Sequence, residues 1–288
     1  MIDWLVEPFL LGFQQRALIG GLIAAVMSAT VGVWLVLRGM SFFGDAFVHG
    51  VLPGIAAAVV FNFNPILGAA VAAAVMVGAV ELIHRHTKLR EDTAIGLLFV
   101  GMMALGVVII SRSSSFTGSL TSILFGDALG VSWDAIRQQA ILAAVVIIGS
   151  LVLYRPLLAL SFSPVKAEAL GMRPKLTHAL LLVLIATSVI GSFQAVGTML
   201  VFSLLVAPPA TAALISRSIP MMIALSASIG AVSVVIGLML SYHWGTAAAA
   251  TMALVPIVAF LVIMEAQYLR RRFRRQAEPV PAQEVTAA

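Results

Sequence analysis

Of 288 residues, 61% are hydrophobic and only 10% are charged, with a mean hydropathy of +1.09. An ordinary soluble domain carries about 25% charged residues, so this composition excludes one and requires a polytopic membrane protein. The absence of cysteine excludes disulfides, thiolate metal sites and cysteine nucleophiles; the net charge of +5 comes from basic residues grouped near span ends and in the tail, so no nucleic-acid partner is expected.

In chain order, the N-terminal stretch MIDWLVEPF places Asp3 and Glu7, not a basic region, ahead of its apolar run, and a cleaved signal peptide is not expected. At about 20 apolar residues per crossing, nine spans are predicted near residues 14–37, 42–61, 65–83, 93–111, 135–153, 176–194, 196–215, 221–241 and 246–267. The expected fold is an all-α polytopic membrane protein with about nine spans (eight to ten), forming one transmembrane domain over residues 1–268 and a basic, disordered tail over 269–288. With the N-terminus outside and the C-terminus in the cytoplasm, 14 of the 17 Lys and Arg residues fall inside. Only Arg16, Arg112 and Arg137 remain outside, which is the pattern of the positive-inside rule.

The second span carries the one acid and histidine set four residues apart within an apolar run, Asp45 and His49. On a helix these lie one turn apart on one face, so both can reach one ion. A charge near the bilayer centre costs roughly 2.5–3.5 kcal/mol on insertion scales, so the pair requires either a partner or a cavity. Two readings fit: a helix-packing hydrogen bond or cap, and a transient site for a divalent cation, since imidazole and carboxylate suit zinc, iron and manganese. A symmetric homodimer would bring two Asp and two His to its axis. Gly50 and Gly54, beside His49, form a small-xxx-small pair that permits close helix packing.

Further along, His84 and His86 belong to a basic cytoplasmic turn, and residues 112–134 form an outer loop whose ILF patch and Trp133 predict an interfacial helix. In the inner loop at 154–175, SPVKAEALG reads as a short helix with Ser163 as N-cap, Pro164 in its first turn and Gly171 as its stop. His178 is expected at the cytoplasmic boundary of the sixth span. Pro208 and Pro209 predict a helix break in the seventh span, of the kind tolerated along translocation pathways. His243, between Tyr242 and Trp244, takes an aromatic-belt position, and RRRFRR at 270–275 is expected to hold the last helix against anionic lipid. The sequence contains no Walker A, Ser/His/Asp or HExxH pattern, so it is expected to be no enzyme and to draw energy from elsewhere.

Three stretches together resemble the permease subunits of the zinc/manganese/iron ABC importers: RGMSFFGDAFVHGVLPGIAAA at 38–58, ILFGDALGVSWD at 123–134 and GTMLVFSLLVAPPATAALIS at 197–216. The resemblance covers about residues 10–268 and implies a vitamin-B12-importer-like (type II) fold in a bacterial cytoplasmic membrane. It also implies a homodimer of permeases, two cytoplasmic ATPase subunits and an extracytoplasmic metal-binding protein. Asp45 and His49 match the family's metal-pathway pair. Pro164, Ala167, Glu168 and Gly171 match its coupling helix, which contacts the ATPase. The expected cargo is Zn2+, with Mn2+ or Fe2+ as alternatives and no resident cofactor; the rival function is a proton-coupled secondary transporter in which Asp45 and His49 relay protons.

Overall fold

The computed structural model describes residues 7–87, 91–111 and 130–277. Among these, a 3-10 turn at Glu7–Leu10 precedes twelve helices, and there is no strand. They are α1 Gly12–Leu37, α2 Ser41–Gly50, α3 Leu52–Val60, α4 Pro65–His86, α5 Glu91–Ser111 and α6 Trp133–Val152, followed by α7 Tyr154–Phe162, α8 Pro164–Ala169, α9 Pro174–Val196, α10 Thr198–Ile215, α11 Ile219–Trp244 and α12 Ala248–Ala277. Eight of the nine predicted spans are long and apolar enough to cross a bilayer, with α2 and α3 together making one of them; the remaining span is α5, whose apolar part is Thr93–Ile109.

Helix α1 is the hub. The most apolar stretch of α1 is 72% buried, against 28% for those of α6 and α12. It packs on α6, α9, α10 and α11, enclosing Met27, Trp34 and Leu35 completely. Small residues allow this, since Gly21 sits against Val234 and Gly230 against Ala25. The peripheral helices instead expose Leu67, Val71, Leu97, Ile141 and Leu261, apolar side chains that water would not tolerate in such number and lipid does.

Local signals end the helices where the sequence places them. Gly39, at φ +68°, stops α1: its N–H reaches the Val36 carbonyl and that of Met40 reaches Leu35, the double bond of a Schellman motif. The short helix α8 repeats the device, with Gly171 at φ +75°, its N–H on the Glu168 carbonyl and that of Met172 on Ala167. Its start is the expected one too, because the Ser163 hydroxyl accepts from the Lys166 N–H at 3.4 Å and Pro164 follows it.

The structure adds detail to two spans and corrects the break expected in the seventh. The second span is two helices that meet at Val51, because Pro53 has no N–H to offer the His49 carbonyl one turn back, and the Val51 N–H turns to that carbonyl instead. The seventh span is unbroken: α10 runs through Pro208 and Pro209 to Ile215. The last helix continues through the basic run to Ala277, and residues 278–288 lie outside the described residues. The interfacial helix expected at 112–134 likewise falls mostly outside them, as does the side chain of His84.

Candidate functional site

Helix α2 is a ten-residue platform with two unlike sides. Phe43, Gly44, Ala46, Phe47, Val48 and Gly50 are buried, and Phe43 and Phe47 hold their ring centroids 5.4 Å apart. Gly44 lies against Leu205 of α10, and Gly50 against the Met76 sulfur of α4. One turn on, Gly54 and Gly68 face each other's carbonyl oxygens, so the small-residue pair expected beside His49 does bring the chain onto α4. With those faces committed, Phe42, Asp45 and His49, at i, i+3 and i+7, form the remaining stripe.

His49 Nε2 lies 3.5 Å from Asp45 Oδ1, and the two side chains are 29% and 30% exposed. At 3.5 Å the contact is looser than a well-formed hydrogen bond, so each side chain keeps donor or acceptor capacity for a third group. Both side chains line a cavity of about 420 Å3, completed by Val48, by Thr198, Met199, Phe202 and Ser203 of α10, and by Ala253 and Ile257 of α12. Such a volume holds on the order of ten waters, space for an ion that keeps part of its hydration shell. Among the described residues of the lining, Asp45 carries the only formal negative charge.

The wall formed by α10 depends on Gly197. Its φ of +79° and ψ of 167° occupy a region essentially reserved for glycine, and this single residue joins α9 to α10. The junction is buried, with Val196 and Thr198 at 0% and 2% exposure, so the first turn of α10 opens on the cavity and not on a surface loop. Ser203 then ties α10 to α12 by donating to the Ala253 carbonyl at 2.6 Å. Of these lining residues only the stretch containing them, GTMLVFSLLV, drew notice in the sequence; the signal for each one was its helical spacing after Gly197.

The other candidates lie elsewhere. Pro208 and Pro209 are buried away from the cavity lining, and Gly32 of α1 faces the Leu205 carbonyl that Pro209 leaves without an N–H. Pro164, Glu168 and Gly171 are exposed on α8 and the turn after it. Ala167 is 1% exposed and packs inward; the exposed apolar side chains there are Phe162, Val165 and Leu170, at 80%, 77% and 69%. His178 is buried in the first turn of α9. Among the described residues no group of three or more His, Asp or Glu gathers, so one protomer offers two ligands of this kind at Asp45 and His49.

An all-helical membrane bundle with a polar pair on a half-open cavity among its helices has the architecture of a transport permease. The chain matches the ABC 3 transport family over residues 11–267, and it belongs to that family. It is 38% identical over 254 residues to the manganese transport system membrane protein MntC of Listeria innocua, covering 87% of this chain and 89% of that one. It is 31% identical over 274 residues to the chelated iron transport system membrane protein YfeD of Yersinia pestis, covering 95% and 92%. Among solved structures, PsaBC from Streptococcus pneumoniae in complex with Fab superposes with a TM-score of 0.83 at 32% identity, over 94% of this chain and 100% of that one. The resemblance seen in the sequence, to metal ABC importer permeases, therefore holds for family and fold.

Proposed function

We propose that this chain is the permease of an importer that carries a divalent transition metal into the cytoplasm by alternating access. The observation that carries the reading is the juxtaposition of Asp45 and His49 on the 420 Å3 cavity between α2, α10 and α12. A carboxylate and an imidazole supply oxygen and nitrogen to the ion, and two protomers about a two-fold axis supply four such ligands. Few ligands in a roomy cavity suit cargo that must be released. The names of the similar proteins specify manganese and iron, which favours Mn2+ or Fe2+ over the Zn2+ expected from the sequence.

Energy comes from separate ATPase subunits docked on the surface of α7, α8 and the following turn, where Phe162, Val165 and Leu170 project. An apolar patch of this kind on a loop between spans suits a protein partner. An extracytoplasmic metal-binding protein delivers the ion to the opposite side. In this orientation the N-terminus lies outside and the basic C-terminal helix inside, as the distribution of Lys and Arg requires. ATP binding and hydrolysis move the α8 surface and bias the bundle between outward- and inward-open states, which demands contacts that differ between the two.

The test is uptake into proteoliposomes containing this chain with its ATPase and binding protein, comparing Mn2+, Fe2+ and Zn2+. Uptake that needs ATP and selects Mn2+ or Fe2+ is expected. Uptake that proceeds without ATP and follows a proton gradient would replace this reading with a proton relay through Asp45 and His49, and selection of Zn2+ would overturn the choice of cargo.

A further inference from the structure

Metal-ligating histidines are usually oriented by a carboxylate or carbonyl that accepts a hydrogen bond from the second ring nitrogen. His49 has no such device: Nδ1 is buried and without a hydrogen-bond partner among the described residues, while Nε2 faces Asp45 at 3.5 Å. The imidazole nonetheless has one defined ring neighbour. Phe99 of α5 meets it with centroids 5.8 Å apart and planes inclined at 66°.

Phe99 is itself held. Phe42, two turns before His49 on the same stripe of α2, packs on it as well, with centroids 6.1 Å apart and planes at 74°. Its ring thus meets both Phe42 and His49 and joins α5 to the stripe that carries Asp45. It is partly buried against the core and absent from the cavity lining, so it touches the ligand side chain and not the space the ion would occupy. Edge-to-face pairs of this kind gain from the complementary charge of ring edge and ring face, which constrains the angle as well as the distance.

We infer that Phe99 is a positioning residue for cargo binding: by edge-to-face packing it substitutes for the missing hydrogen-bond partner and holds the His49 ring in the rotamer that keeps Nε2 beside Asp45. The inference rests on the reading of Asp45 and His49 as the cargo site. It predicts that the shape and aromaticity of residue 99 set the affinity for the ion although the residue never contacts it.

The experiment uses the full transporter, reconstituted with its ATPase, with Mn2+ as the probe. Binding is followed by loss of the free-ion EPR signal and uptake by KM and Vmax. Phe99→Leu should weaken Mn2+ binding and raise KM about tenfold, and Phe99→Tyr, which keeps the ring, should restore both to within about twofold. In a His49→Ala background, Phe99→Leu should change residual Mn2+ binding no further, because the ring it orients is gone. Should Phe99→Leu fail to fold, Phe99→Met fills the same space without a ring and carries the same expectation. Wild-type KM in Phe99→Leu, or an equal loss in Phe99→Leu and Phe99→Tyr, would overturn the inference and leave the site standing. Wild-type binding in His49→Ala would overturn the site itself.

Discussion

Two proline sites behave in opposite ways. Pro53 ends a helix alone, whereas Pro208 and Pro209, adjacent and therefore doubly disruptive, lie inside an uninterrupted one. Each proline removes an N–H and frees the carbonyl four residues earlier. For Pro53 that carbonyl is the one on His49, and α2 stops at Gly50 beside the cavity. For Pro209 it is the one on Leu205, and Gly32 of α1 packs directly against it, with Pro209 Cγ 2.9 Å from where a Cβ at position 32 would stand. Helix α10 is clamped between α1, α11 and α12, and the clamp keeps helical dihedrals that local hydrogen bonding alone would not. Pro53 is also buried, against Gly106 of α5, so burial of the proline does not separate the two sites; in α10 the neighbouring helix packs on the freed carbonyl itself.

The contrast can be broken or sharpened by substitution. The largest effect is expected at the site next to the Pro53 break: Asp45→Ala or His49→Ala should abolish metal uptake while co-purification with the ATPase persists, and wild-type transport by both would remove the functional meaning of that break. Next comes the clamp. Gly32→Ala forces a methyl group into the Leu205 carbonyl and should lower stability by about 1–3 kcal/mol, read as a fall in the melting temperature of the purified protein; an unchanged melting temperature would show that α10 does not depend on this contact.

Pro53→Ala supplies the helical N–H that can replace the Val51 N–H on the His49 carbonyl and should fuse α2 with α3, changing stability by no more than about 1 kcal/mol because one bond is exchanged for another, while slowing uptake several-fold. Uptake at the wild-type rate would show that the discontinuity serves no transport step. The smallest effect is expected for Pro208→Ala, since the helix is already continuous there: stability should change by less than about 1 kcal/mol and uptake by less than twofold. A large loss of uptake would show that Pro208 serves the translocation pathway although its helix is continuous.

Much of the site was legible because its signal is local. Asp45 and His49 stand out because four residues separate two ionisable side chains in an apolar stretch, and helical geometry alone then puts them on one face. Ser163, Pro164 and Gly171 were legible for the same reason, since caps and stops act over three or four residues. Ala167 was not. Whether it points to a partner or into the protein depends on how α8 lies on its neighbours, and the six-residue helix does not encode that.

By itself the sequence determined the membrane class, the crossings and the polar pair, because hydropathy, helix period and charge placement are properties of consecutive residues. Tertiary structure alone decided that α10 and α12 close the cavity opposite α2, that Phe99 meets His49, and that Gly32 keeps α10 whole. These contacts join residues 50 to more than 200 positions apart, and the helices that meet α2, among them α5 and α10, are apolar almost all round. Such helices have no polar face to show which side turns inward, so only the packing of small residues against particular neighbours selects it.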